Sequence, residues 1–231
     1  MSRHDLDRTL GWMREGTAHL LAVVEKQPDD ALRAPSVLPG WTRAHVVGHV
    51  ARNAEALTRL AHWARTGDET PMYADAEQRA AEIERTAALP ASTVRAALAR
   101  TAEELDTALA ALTAAQWRAQ VRSALGRAIP AAEVPWMRIR EVWLHAVDLD
   151  AGATVADLPD PVLDLLLDDV TAVLSGKEGC PAFEVAPHDR SRTWQLGEGA
   201  ARAVITAPAA DVVGWLTGRV AAAQPALPRW L

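Results

Sequence analysis

Cysteine is nearly absent from this sequence, since Cys180 is the only one among 231 residues. A single thiol excludes a disulfide framework within the chain and a zinc site built from several cysteines. We therefore expect a cytoplasmic protein. No histidine or basic cluster flanks Cys180, so we expect its thiol to be unreactive.

The sequence also has no excess of basic residues and no long hydrophobic run. It contains 30 acidic residues against 24 Lys and Arg, which gives a net charge of −6. This balance disfavours nonspecific binding to nucleic acid or to an anionic membrane. No apolar run reaches the roughly 18–20 residues of a membrane span, and the first residues lack the apolar stretch of a secretory signal. We expect neither a nucleic-acid nor a membrane partner.

The first two thirds of the chain contain a series of helical patterns. Four long segments repeat apolar residues at helical spacing: residues 5–26, 43–65, 92–112 and 135–152. Thr42 is suited to cap the second segment, Pro135 to begin the fourth and Gly152 to end it. Four long helices with irregular connections predict a four-helix bundle over residues 1–152. No long apolar stripe remains unassigned, which favours a monomer.

The pattern changes after Gly152. One more helical segment, "LPDPVLDLLLDDVTAVLSGK", precedes three short stretches with β-like alternation, "AFEVAPH", "RTWQLG" and "ARAVITAP". The stretch "GEGA" between the last two resembles a tight turn, and "AADVVGWLTGRVAA" predicts a short helix. Residues 153–231 are therefore expected to form a smaller α+β domain, and the whole chain an α+β protein.

The second helical segment carries polar residues within its apolar stripe. This stripe consists of Val46, His49, Val50, Asn53, Leu57 and Leu60. A polar group on a core-facing stripe must find a partner, because an unpaired buried polar group costs a few kcal/mol. The simplest interpretation is a core histidine bonded to a neighbouring helix. However, His45 and His49 also form an i,i+4 pair that could bind a metal.

A second polar stripe lies in "REVWLHAVDLDAG", residues 140–152. Glu141 and His145 stand four residues apart and share a helical face with Arg138 and Asp148. On an exposed helix such contacts are worth a few tenths of a kcal/mol. The remaining faces of this segment are apolar, and a helix apolar nearly all round is usually buried. Buried Glu141 and His145 would then need a partner or a cation.

A zinc ion would satisfy these groups together. His49 from one helix, with Glu141 and His145 from another, gives three N/O ligands and leaves one position open, as in catalytic zinc sites. Helix bundles commonly build metal sites from facing helices. Spacing alone makes this suggestive only, because an E-x3-H pair and a distant histidine occur together by chance.

Several longer stretches resemble the mycothiol-dependent maleylpyruvate isomerases. These are "LPGWTRAHVVGHVARNAEAL", "HWARTGDETPMY", "GRAIPAAEVPWMRIREVWLHAVDL" and the terminal "PRWL". The resemblance implies a DinB-like four-helix bundle followed by an α+β domain. It also implies that the zinc ligands are His49, Glu141 and His145, so that His49 rather than His45 binds the metal. An arginine near the C-terminus acts in catalysis in this family, and "GWLTGRV" places Arg219 there.

The resemblance implies a thiol chemistry with zinc and mycothiol as cofactors. A zinc-bound mycothiol thiolate would add reversibly to the cis double bond of maleylpyruvate, and its expulsion after rotation would give fumarylpyruvate. Arg219, on the second domain, is our candidate for the substrate carboxylates and the developing enolate, and Arg79 is a weaker one. Asn53 and Asp148 could orient the histidine ligands, although a local helix bond or solvent contact is the simpler interpretation for Asp148.

Two other functions remain open at this stage. One is a mycothiol-dependent zinc thiol S-transferase, which would share the bundle and the metal site and differ in its pocket. The other is a noncatalytic zinc-binding regulatory protein, against which the open ligand position argues, since structural zinc usually has four protein ligands.

Overall fold

The computed structural model describes residues 2–220 and 226–230 and divides the chain into two compact units, Ser2–Ala153 and Thr154–Leu231. The protein is rich in helix, with a small amount of sheet. No described helix combines the length and the apolar character needed to cross a bilayer.

The unit Ser2–Ala153 is mainly helical. Its helices are α1 (Leu6–Glu25), α2 (Arg43–Thr66), α3 (Ala76–Ala87), α4 (Ala91–Ala110) and α5 (Val134–Asp148). Helix α2 packs against α3, α4 and α5, while α1 packs mainly against α5 and less extensively against α4. The bulk of the buried side chains of α2 therefore lies among the other helices of the unit.

Short-range interactions fix where these helices begin. Thr42 caps α2, as predicted, because its side chain accepts a hydrogen bond from the backbone of His45. Asp75 caps α3 by accepting from the backbone N–H of Gln78 at 2.7 Å. Pro90 precedes α4 and separates it from α3, since proline cannot donate the backbone hydrogen bond that a continuous helix would need.

Two details before and after α5 differ from the prediction. Helix α5 begins at Val134, with Pro135 as its second residue, and it ends at Asp148 rather than at Gly152. The connection between α4 and α5, expected to be irregular, contains a short antiparallel hairpin, β1 (Gln120–Arg122) with β2 (Ala128–Pro130). Three residues per strand are too few to show a clear alternation, so the sequence did not indicate these strands.

The unit Thr154–Leu231 combines two helices with a small sheet. Helix α6 (Asp160–Ser175) precedes the strands β3 (Phe183–Val185), β4 (Trp194–Leu196) and β5 (Val204–Ile205), and α7 (Ala209–Leu216) follows them. All of these elements fall within the predicted segments. Strand β3 is central, antiparallel to β4 and parallel to β5.

The segment between β4 and β5 joins the two edges of this sheet. The "GEGA" stretch, residues 197–200, therefore does not connect neighbouring strands. The final "PRWL" stretch is described up to Trp230, which is buried and whose carbonyl accepts a hydrogen bond from Lys177 Nζ at 2.8 Å. Leu231 lies outside the described residues.

The contact between α1 and α5 depends on a glycine. A Cβ atom added to Gly16 would lie 2.5 Å from Trp143 Nε1 and 2.7 Å from a methyl group of Val142. The Trp143 indole donates a hydrogen bond to the Trp12 carbonyl at 3.2 Å, so the ring is held in this position.

We predict that Gly16→Ala destabilises the protein, because α1 and α5 must separate or the Trp143 ring must move. Overpacking of this kind costs about 1–3 kcal/mol. Gly11→Ala on the same helix is the matched control, because a Cβ atom there has no neighbour within 4 Å. The control should raise stability by about 0.5–1 kcal/mol through helix propensity. Urea unfolding would measure both, and equal effects of the two substitutions would contradict the packing argument.

Candidate metal centre

Helix α2 places His49 on a buried face. The stripe predicted from the sequence is buried along its whole length, and His49 is only 5% exposed. The neighbouring apolar residues Val46 and Val50 are fully buried. His49 therefore cannot exchange its hydrogen bonds with water, and its ring nitrogens need partners within the protein.

Helix α5 supplies the partner of one ring nitrogen, and Arg79 on α3 that of the other. The Nε2 atom of His49 lies 2.9 Å from Glu141 Oε2, and the same carboxylate oxygen lies 3.3 Å from Nε2 of His145. The rings of the two histidines meet edge to face, with centroids 4.8 Å apart. Residues that are 92 and 96 positions from His49 are thus brought to a single point by the packing of α5 on α2.

The electrostatics of this cluster follow from its burial. Burial lowers the pKa of His49, and Glu141 only partly offsets the effect. Burial by itself would raise the pKa of Glu141, but the two histidines outweigh it and hold this pKa well below its usual range. The pKa of His145 is raised, because its bonds to Asp148 and Glu141 outweigh the opposite effect of burial. Glu141 is therefore an anion between two imidazoles.

The three side chains fit a zinc ion. Each offers one ligand atom, and these atoms lie within 4.8 Å of one another. Tetrahedral ligands with metal bonds of about 2.1 Å lie about 3.4 Å apart, close to the two separations measured from Glu141 Oε2. Within the described part of the chain no fourth histidine, cysteine or acidic residue joins this group. The donor set leaves a position for a thiol, water or substrate.

Asp148 orients one of the candidate ligands. Its carboxylate is fully buried and accepts a hydrogen bond from Nδ1 of His145 at 2.8 Å. With Nδ1 protonated, Nε2 keeps its lone pair toward the centre, which is the usual arrangement of a metal-binding histidine. Burial excludes the solvent contact considered for Asp148, and its bond to His145, three residues before it on α5, is a local helix hydrogen bond.

Asn53 has a different partner from the one predicted. Its side-chain oxygen accepts a hydrogen bond from Arg138 Nη1 at 3.0 Å, and the same nitrogen donates to the carbonyl of Val50 at 2.7 Å. Burial lowers the pKa of Arg138 to about 10, although Glu141 and Tyr73 partly oppose this effect. Asn53 Oδ1 therefore contacts a buried cation beside the cluster, and the orientation of a histidine ligand by Asn53 stays a prediction.

His45 is engaged at the start of α2. Its Nδ1 accepts hydrogen bonds from the hydroxyl and the backbone N–H of Thr42, at 2.7 and 3.2 Å. Its Nε2 lies 3.1 Å from a carboxylate oxygen of Glu84 on α3. Both ring nitrogens are thus used in capping and in helix contact. This explains physically why His49 and not His45 stands in the metal cluster.

Arg79 lies beside the centre, and two aromatic residues accompany it. Nη2 of Arg79 is 3.3 Å from Nδ1 of His49, and its guanidinium carbon is 5.8 Å from the ring centre of Tyr73. Trp41 also packs against His49, with its ring centre 5.5 Å from that of the histidine. The sequence reasoning did not single out Tyr73. Its only signals were its place in "HWARTGDETPMY" and its being the sole tyrosine.

Arg219 belongs to the unit Thr154–Leu231 and follows α7. Its backbone N–H donates to the Gly214 carbonyl at 2.7 Å, and its Nη1 donates to the Thr217 carbonyl at 3.1 Å. The side chain is half-buried. Cys180 is also partly buried, and burial raises the pKa of its thiol, which agrees with the expected lack of reactivity.

Comparison with known proteins gives a consistent set of similarities. Residues 13–150 match the family model described as the mycothiol maleylpyruvate isomerase N-terminal domain. A crystal structure of the mycothiol-dependent maleylpyruvate isomerase superposes with a TM-score of 0.95 at 34% identity, covering all of both chains. A histidine-to-alanine mutant of that enzyme gives 0.94 at 33% identity, again over both full chains. A search of curated protein sequences found no significant match.

We predict that His49→Ala abolishes stoichiometric zinc binding, whereas His45→Ala retains it. The reason is that the ring of His49 lies 2.9 Å from the shared Glu141 oxygen, while both nitrogens of His45 are bonded elsewhere. Metal content after dialysis, measured by atomic emission, would test this, with circular dichroism to confirm the fold of both variants. Equal zinc loss in the two variants would contradict the assignment.

Proposed function

The chain belongs to the mycothiol maleylpyruvate isomerase family, and from this premise we propose that it is a mycothiol-dependent, zinc-containing maleylpyruvate isomerase. The observation that carries the proposal is the convergence of His49, Glu141 and His145, with ligand atoms within 4.8 Å of one another and no fourth ligand of the same kind in the described chain. An open position of this kind is typical of catalytic zinc and unusual for structural zinc.

The chain's own residues prepare this centre for an anionic thiol. When bound, zinc would lower the pKa of a thiol at the open position, so that the thiol is a thiolate at neutral pH. His49 and His145 contribute neutral nitrogen ligands, and Asp148 fixes the tautomer of His145 through its Nδ1. Glu141 contributes the one negative charge of the set, so the loaded centre keeps a net positive charge that favours an anion.

The proposed reaction conserves atoms and charge. The mycothiol sulfur forms a bond to one carbon of the cis double bond of maleylpyruvate, and the electron pair moves to the conjugated carbonyl oxygen as an enolate. The former double bond then rotates as a single bond. Return of the electron pair expels the thiolate and leaves fumarylpyruvate, the trans isomer. Donors and cations near the enolate would stabilise it as it forms.

We propose two arginines for the substrate carboxylates. Arg79 is supported by its position, because its guanidinium lies 3.3 Å from the His49 ring and so borders the centre. Arg219 is supported by the resemblance of "GWLTGRV" to the family's catalytic-arginine motif. A guanidinium can bind a carboxylate through two parallel hydrogen bonds, which orients a substrate as well as neutralising it.

The finer structural assignments are part of the same proposal. We propose that residues 1–152 form a DinB-like four-helix bundle that carries the metal, built from α1, α2, α4 and α5, and that residues 153–231 form the accessory α+β domain. We further propose a cytoplasmic monomer. The single cysteine supports the cytoplasmic location. Gel filtration with light scattering would test whether the protein is a monomer.

The isomerase assignment predicts that turnover of maleylpyruvate depends on mycothiol. Purified, zinc-loaded protein should convert maleylpyruvate to fumarylpyruvate only when mycothiol is present, because burial raises the pKa of Cys180, the only thiol of the chain, and so disfavours a protein thiolate. Absorbance of the two isomers would follow the reaction, and His49→Ala should be inactive. A folded, zinc-loaded wild type without turnover would exclude the isomerase and direct attention to thiol transfer onto another electrophile. A chelator that unfolds the protein would instead indicate structural zinc.

A further prediction concerns Arg219. Arg219→Ala should lower kcat for maleylpyruvate by about 10²–10³, the usual cost of removing a donor to a developing oxyanion. Arg219→Lys should retain part of the activity, because it keeps the charge and loses the paired geometry. Zinc content should stay at the wild-type value in both, since the metal ligands are on α2 and α5. Unchanged kcat in Arg219→Ala would remove this residue from the mechanism.

A further inference from the structure

Tyr73 lies in an anchored part of the segment between α2 and α3. The preceding residue, Met72, is buried, and its carbonyl accepts a hydrogen bond from Arg59 Nη1 at 2.6 Å. Two residues after Tyr73, Asp75 caps α3. The backbone is therefore held on both sides of Tyr73, which gives its side chain a defined direction.

The Tyr73 ring contacts Arg79, which in turn contacts the metal cluster. The guanidinium carbon of Arg79 lies 5.8 Å from the Tyr73 ring centre, and Nη2 of the same group lies 3.3 Å from the His49 ring. A single guanidinium thus separates the phenol from a candidate metal ligand. The phenol interacts electrostatically with Glu141 as well as with Arg79. Tyr73 is therefore linked to the metal cluster through Arg79 and lies within electrostatic reach of Glu141.

The surroundings of Tyr73 favour an anionic guest. The charged groups that act on it include two arginines, Arg79 and Arg59, and one carboxylate, Glu141. Arg138 also interacts electrostatically with Tyr73. It is almost completely buried, and its Nε and Nη2 atoms have no hydrogen-bond partner among the described residues. A buried cation with unpaired donors is costly. Its positive charge, close to Glu141 and Tyr73, lowers the energy of an additional negative oxygen nearby.

We propose that Tyr73 is a further substrate-binding residue of this centre, whose hydroxyl donates a hydrogen bond to an anionic oxygen of a dicarboxylate substrate. Arg79 holds the ring beside His49 and offers a second donor to the same region. A neutral hydroxyl is suited to this role, because it binds the anion without adding a charge that must be desolvated. The identity of the substrate rests on the isomerase function proposed above, whereas the binding of a dicarboxylate beside Tyr73 does not.

Two substitutions distinguish the contribution of the Tyr73 hydroxyl from that of its aromatic ring. Tyr73→Phe removes only the hydroxyl and keeps the aromatic face on Arg79, while Tyr73→Leu removes both. We expect Tyr73→Phe to lower kcat/KM for maleylpyruvate by about 10–100-fold, the usual cost of a hydrogen bond to a charged group. Zinc content and the KM for mycothiol should remain at wild-type values. Unchanged kinetics in Tyr73→Phe, with a loss only in Tyr73→Leu, would show a packing role and overturn the proposal.

A binding experiment tests Tyr73 without requiring turnover. Because Tyr73 is the only tyrosine, protein labelled with [¹³Cζ]tyrosine gives one phenolic NMR signal. The zinc-loaded protein would be titrated with maleate, and separately with maleylpyruvate in the absence of mycothiol. We expect a saturable shift of this signal with both, and none with the neutral diamide of maleate. An absent shift for both anions, or an equal shift with the diamide, would overturn the proposal. A shift with maleate in a protein that does not isomerise maleylpyruvate would support the subsite and reject the isomerase.

Discussion

The structure around the centre depends on one partly buried carboxylate, that of Glu141, shared by two histidines. Glu141 Oε2 lies 2.9 Å from His49 and 3.3 Å from His145, and these residues come from two different helices. A carboxylate in such a place is costly unless it is paired. Its two imidazole partners stabilise it and, in doing so, tie α5 to α2 at the point where a cation would bind. The same geometry therefore serves the packing of the unit and the proposed chemistry.

This constraint extends along one face of α5. Basic and acidic side chains alternate on this face at helical spacing: Arg138, Glu141, His145 and Asp148. Asp148 holds His145 from one side, and Arg138 lies one turn before Glu141 with Asn53 and a carbonyl of α2 as its partners. Asp148 is thus paired with His145, and Nη1 of Arg138 with α2, whereas Nε and Nη2 of Arg138 have no hydrogen-bond partner among the described residues. A change in any one of them would leave an uncompensated charge in the core, which is more damaging than the loss of a surface ion pair.

Helical periodicity was enough to predict the frame of this site from the sequence. It indicated the buried stripe of α2, the buried polar stripe of α5 and the cap at Thr42, because all of these depend on residues within a few positions of one another. Spacing could not choose between His45 and His49, since that choice depends on Thr42 and Glu84 occupying the ring of His45. Tyr73 was missed for a related reason: its contact with Arg79 depends on the path of an irregular segment. The hairpin β1–β2 was missed because its strands are too short to show a period.

The metal cluster alone does not distinguish an isomerase from a transferase, because both would need the same thiolate. The distinction has to come from the groups that meet the electrophile. Arg59, Arg79 and Arg138 bring three positive charges to the cluster and to Tyr73. The carboxylates of Glu141 and Asp148 oppose them, which leaves an excess of one positive charge among these side chains. A neutral electrophile would gain little from this excess of positive charge. A substrate with two carboxylates brings negative charge that this excess would attract. Its enolate, formed after attack by the thiolate, adds negative charge that hydrogen-bond donors near the cluster would stabilise. The electrostatics beside the metal centre therefore favour the dianionic substrate of the isomerase over an uncharged acceptor.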